Sequence, residues 1–99
     1  MPNSRKPLDE MLVAIADPTR RRILAALKAR GECSIGKDVG LCASDIESRI
    51  HLSQPTISHH MAVLCRSGLV EAKKLGQWMW YQRNEAKLRE LTTRLKKSL

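Results

Sequence analysis

The stretch "SDIESRIHLSQPTISHHMAVLCRSG" (residues 44–68) decides the fold, because it holds two helix starts separated by a very short turn. Ser44 followed by Glu47 matches the Ser-x-x-Glu capping box. Ser44 is therefore expected to cap a short helix that carries Ile46 and Ile50 on one face. After "HLS", Ser53 is the expected cap of a second helix, with Pro55 in the first turn, where proline is tolerated. Gly68 closes that helix.

Winding residues 54–67 at helical pitch puts Ile57, Met61 and Leu64 on one side, which must be core. His60 borders that side as a partly buried packing residue, while Pro55, His59, Ala62 and Arg66 point away. The exposed first turns then offer Gln54, Thr56, Ser58 and His59, with Ser53 at the start and no acidic charge among them. Gln pairs with adenine in bidentate fashion, and Ser or Thr serves base edges or phosphate. A helix N-terminus adds free N–H groups that favour phosphate. Two helices joined this way form a helix-turn-helix, whose second helix enters the major groove of double-stranded DNA. A helix pair with a merely solvated polar face has the same pattern, so the flanking sequence must decide.

Downstream the period changes. "LVEAKKLGQWMWYQR" reads as a two-stranded hairpin, Leu69–Leu75 and Trp78–Arg83, turning at Gly76-Gln77. Lys73 and Lys74 precede its tip and Arg83 follows it, which suits a wing that touches the DNA backbone. Trp78 and Trp80 share one strand face and are expected to pack on the core. The final segment "NEAKLRELTTRLKKSL" is a helix capped by Asn84. Leu88, Leu91 and Leu95 make a narrow stripe suited to pairing with a second copy.

Upstream, residues 1–7 read as a disordered arm and residues 8–99 as one domain. Leu8, Met11, Leu12 and Ile15 form the apolar side of a short first helix. Asp17 and Pro18 start another, with Ile23, Leu24 and Leu27 buried and Gly31 at its end. Arg20, Arg21 and Arg22 read as cover for a solvated helix face rather than a phosphate-binding cluster, since three in succession cannot all point one way. "ECSIGKDVGLCA" (residues 32–43) reads as a loop. The expected fold class is mainly α with a small β-hairpin: a homodimeric winged helix-turn-helix.

Composition agrees. Eighteen Lys and Arg against ten acidic residues give a net charge of +8, which suits a polyanion. The opening "MPNSRKPLDEM" holds no signal-peptide run and "MLVAIA" is too short to span a bilayer, so the expectation is a cytoplasmic protein without a membrane partner. Three cysteines without a secretory signal argue for thiols. No phosphate loop, nucleophile elbow or acid pair points to an enzyme.

"AIADPTRRRILAAL", "LSQPTISHHMAVLCRSGLV" and "GQWMWYQRN" closely resemble the ArsR family of bacterial winged-helix repressors, over residues 8–97. The resemblance implies a homodimer built from the first and last helices, here Leu8, Met11, Leu12, Ile15, Leu88, Leu91 and Leu95. It implies binding to an inverted repeat, usually to repress a promoter. Gln54, Thr56, Ser58 and His59 match the family's reading positions, while Lys73 and Lys74 match only its variable wing region. Ser44 joins the DNA-binding candidates at the start of the preceding helix.

Metalloid-sensing members carry Cys-x-Cys on that preceding helix, whereas this chain has Cys42 with Ser44 in the second place. Serine is a poor ligand for a soft ion. The loop before it looks about eight residues longer than is usual in the family. Cys33 and Cys42 could form a sensing dithiol for arsenite or another thiol-reactive inducer. The other reading is that the thiols, Cys65 included, are inert buried hydrophobes. No resident cofactor or metal is expected, because His51, His59 and His60 form no ligand set with the cysteines and the last helix has no His.

Overall fold

Asp17 breaks the N-terminal helical stretch in two. In the computed structural model, which describes residues 7–28 and 41–99, α1 spans Pro7–Ala16 and α2 spans Pro18–Ala26. The Asp17 carboxylate accepts from the N–H groups of Thr19 (2.7 Å) and Arg20 (3.2 Å), and Pro18 occupies the first turn. The last carbonyls of α1 would otherwise lack donors. Arg20 donates through Nε to Ala14 O (2.6 Å) and through Nη2 to Val13 O (3.0 Å), and Arg21 donates to Ile15 O. Arg21 and Arg22 are exposed, as the solvated-face reading expects, while Arg20 is half-buried; Arg20 and Arg21 together close the end of α1. Their targets lie across a chain reversal that local spacing does not describe.

Next come β1 (Leu41–Cys42), α3 (Ala43–Ile50) and α4 (Gln54–Ser67), then β2 (Val70–Leu75), β3 (Trp78–Arg83) and α5 (Glu85–Ser98). The sheet is three-stranded and antiparallel in the order β1-β3-β2, so the expected two-stranded hairpin gains an edge strand. Leu41 pairs with Tyr81 and Cys42 with Trp80. Residues 41–42 are therefore strand, where a loop is expected from sequence. The hairpin register runs from Val70↔Arg83 to Leu75↔Trp78, turning at Gly76, whose φ of 62° is the left-handed value the turn requires.

The start of α3 also differs from expectation. Its cap is Cys42, not Ser44, which is the second helical residue. The Asp45 carboxylate accepts from the Cys42 N–H (3.3 Å) and lies 3.2 Å from the Cys42 Sγ. The capping box is thus set two residues earlier, on Cys-x-x-Asp. Pairing of Cys42 with Trp80 in the sheet fixes where the helix can begin.

Among the described residues the core forms one cluster. Met11, Ile23, Leu41, Ile46, Ile57, Leu64 and Leu69 are fully buried, and Trp80 is nearly so. Gly68 ends α4 at φ 84°, donating to Cys65 O (3.1 Å); a Cβ there would also meet the Lys87 side chain at 3.0 Å. Buried Ser67 donates to Leu64 O (2.7 Å) and accepts from Leu69 N–H (3.2 Å), fixing the turn into β2. The Asn84 side chain accepts from Lys87 N–H (3.0 Å) and caps α5. Residues 1–6 and 29–40, which include most of the expected arm, Cys33 and Gly31, lie outside the described residues.

Candidate nucleic-acid interface

Helix α4 has one buried side and one open side. Ile57, Met61 and Leu64 are buried against the core. Ser53, Gln54, Thr56, Ser58 and His59 are all exposed. The open side carries amides, hydroxyls and an imidazole, without a carboxylate. Ser53 is the N-cap residue, yet its hydroxyl makes no cap bond; it lies 2.9 Å from the Thr56 hydroxyl. The first N–H groups of α4 therefore have no side-chain cap.

His60 anchors the helix from behind. Its Nδ1 lies 3.1 Å from Arg20 Nη1, which ties α4 to the α1–α2 corner. Burial holds the imidazole pKa below its ordinary value, and the nearby Arg20 and His59 charges push the same way against the pull of Asp17. Asp17 itself is held below the ordinary carboxylate value. Desolvation opposes this, but the Arg20 and Thr19 N–H donors, with the His60 and Arg20 charges, outweigh it. This anchor is invisible in the sequence, since the partners are forty residues apart.

The wing supplies charge at its tip. Lys73 and Lys74 are exposed on β2. Arg83 is not part of that surface: it donates to Leu24 O (3.3 Å) and pairs with Glu85 (2.9 Å), bracing α2 against α5. The two tryptophans separate. Trp80 is 3% exposed, whereas Trp78 is 54% exposed, so the expectation that both pack on the core is corrected for Trp78. Alternation assigns them one face, but the core ends before the strand does. Trp78 and Met79 border a cleft of about 310 Å³ with Cys42, Ser44, Glu47 and Gln54. Ser44 is exposed there, at the start of α3.

On the expected pairing face, Leu8, Leu12, Ile15, Leu88 and Leu95 are partly exposed. Met11 (0%) and Leu91 (4%) are buried within the chain itself and packed in its own core. An open groove of about 290 Å³ runs between α1, α2 and α5, floored by Ile15, Leu24, Leu88 and Leu91.

Of the thiols, Cys42 is buried and Cys65 half-buried, and burial pushes the Cys65 thiol up. Among the described residues no three His, Cys, Asp or Glu side chains cluster as a metal site. No described helix is long and apolar enough to cross a membrane.

A helix pair whose second member stays polar on its open side, followed by a basic hairpin, defines a winged helix-turn-helix protein. A family model described as a helix-turn-helix domain matches residues 15–72. The arsenical resistance operon repressor of Staphylococcus aureus is 38% identical over 92 residues, spanning 93% of this chain and 80% of that protein. An ArsR-like transcriptional regulator from Rhodococcus sp. RHA1 superposes with a TM-score of 0.73 at 28% identity, over 92% of this chain and 77% of that one. The homodimeric winged helix-turn-helix DNA-binding domain Mb0332 from Mycobacterium bovis has the same fold, with a TM-score of 0.69 at 21% identity over 93% and 78% of the two chains. The chain belongs to the ArsR family of winged helix-turn-helix transcriptional regulators.

Proposed function

We propose that two copies of this chain bind an inverted repeat in double-stranded DNA and repress transcription there. The observation that carries the reading is the open side of α4: Gln54, Thr56, Ser58 and His59 exposed, polar and without a carboxylate among them, and set at an N-terminus without a side-chain cap. Gln54 would read a base edge, and Ser53, Thr56, Ser58 and His59 would serve bases or phosphate. Ser44 would meet backbone from α3, and Lys73 and Lys74 would hold phosphates beside the half-site.

Pairing would use Leu8, Leu12 and Ile15 of α1 with Leu88 and Leu95 of α5. Their partial exposure beside an open apolar groove supports this, as does the homodimeric relative. Repression is the activity named for the S. aureus relative. No cofactor and no catalytic step belong to the reading. Cys42 serves as a small buried apolar residue whose thiol rests on Asp45, which favours that role over inducer capture.

Titration of labelled duplexes tests this, with sedimentation of the free chain alongside. The expected result is a dimer that prefers an inverted repeat from its own upstream region over a scrambled duplex at moderate salt. A monomer at micromolar concentration, or equal affinity for both duplexes, would overturn it.

A further inference from the structure

Four large apolar side chains are exposed among the described residues, and two of them, Trp78 and Met79, are adjacent at the wing tip. They sit across a single cleft from Gln54, the first residue of α4. Lys73 and Lys74 flank them on the paired strand, Lys74 directly opposite Met79 and Leu75 opposite Trp78. More than half of the indole surface is left open by the described chain. Its neighbours say what does cover it: Lys73, paired with Trp80 on the same strand face, Lys74 beside Met79 on the other, and the start of α4 across the cleft.

Resting on the DNA-binding reading above, we infer that Trp78, supported by Met79, is a DNA contact that packs on the deoxyribose wall of the minor groove next to the half-site read by α4. The sugar edges of a minor groove are its apolar surface, and proteins that enter it use apolar side chains beside cations. Lys73 and Lys74 would hold the flanking phosphates. Glu47, on the opposite rim of the cleft, disfavours a phosphate inside it, so the group over the indole is sugar rather than phosphate. The contact adds affinity that does not depend on counterion release. It also makes affinity sensitive to groove width at positions that no side chain reads directly.

The test compares the wild-type chain with Trp78→Ala, Trp78→Phe and Lys73→Ala on a labelled duplex carrying the wild-type chain's selected site, across a salt series. Trp78→Ala is expected to bind about tenfold more weakly with an unchanged salt slope, and Trp78→Phe to recover part of the loss. Lys73→Ala is expected to lower the slope by about one. In the wild-type chain, adding duplex should shield the exposed indole from acrylamide, with buried Trp80 as an internal reference that does not change. Unaltered affinity in Trp78→Ala, or unaltered quenching on saturation with duplex, overturns the inference while leaving DNA binding intact. A shift of Trp78→Ala to monomer would reassign the patch to a second copy of the chain. Failure of the wild-type chain to prefer any duplex overturns this contact together with the reading it rests on.

Discussion

Helices α2 and α5 begin differently from α4. Asp17 and Asn84 turn their side chains onto the first N–H groups of their helices, at 2.7 and 3.0 Å. Ser53 stands in the same place before α4 and turns away, with its hydroxyl against Thr56. All three residue types are good caps. Two of the ends are closed and serve the fold: one sits at the α1–α2 corner, the other where the sheet hands over to α5. The third is left open, on the side of the molecule where Gln54 and Thr56 are exposed with no carboxylate among the first-turn side chains. The lesson is that cap residues mark helix starts, but whether the cap is engaged separates an end built for stability from one left to a ligand.

Substitutions on the two sides of α4 sharpen that contrast most. Ile57→Ala removes a fully buried side chain and is expected to cost about 2–5 kcal/mol of stability, read by denaturant unfolding. Gln54→Ala should leave unfolding unchanged and cost about 1–3 kcal/mol of discrimination at one base pair, read with single-mismatch duplexes. Asn84→Ala opens the start of α5 and should lower stability by about 1 kcal/mol, with sequence preference retained. Ser53→Ala should shift unfolding by less than about 0.5 kcal/mol while weakening DNA binding. Comparable stability losses in Asn84→Ala and Ser53→Ala would erase the distinction between engaged and open ends.

The smallest expected effect is in pH. The folded-state pKa of His60 lies below its ordinary 6.5, so the unfolded chain takes up more protons on acidification. The stability this contributes is present above the ordinary value and is lost as pH falls below it toward the folded value. Tm should therefore drop as pH falls through and below that ordinary value, and His60→Gln should flatten that part of the profile. Asp17, held below its ordinary 3.8, acts in a separate and more acidic window: its contribution is present above that value and fades as pH falls through the folded one.

Much of this was legible from residues alone. The periodicity of Ile57, Met61 and Leu64 gives the buried side of α4, and Gly68 and Asn84 mark boundaries that the structure keeps. What was not legible is non-local. A two-residue strand such as Leu41–Cys42 has no period of its own and exists only through its pairing with β3. That pairing also moves the α3 cap from Ser44 to Cys42. Arg20 resembles any solvated arginine until the α1–α2 reversal brings it to Ala14 O and His60. Strand alternation puts Trp78 with Trp80 but does not say where the core stops. Helix periodicity likewise places Met11 and Leu91 on apolar faces without telling an interface from the chain's own core.

The most direct test of the account is selection of binding sites from a pool of random duplexes by the full chain. Enrichment of an inverted repeat with half-site centres about one helical turn apart, roughly 34 Å, is the predicted outcome, with Gln54→Ala relaxing one position in each half. A selected pool indistinguishable from the starting one would contradict it.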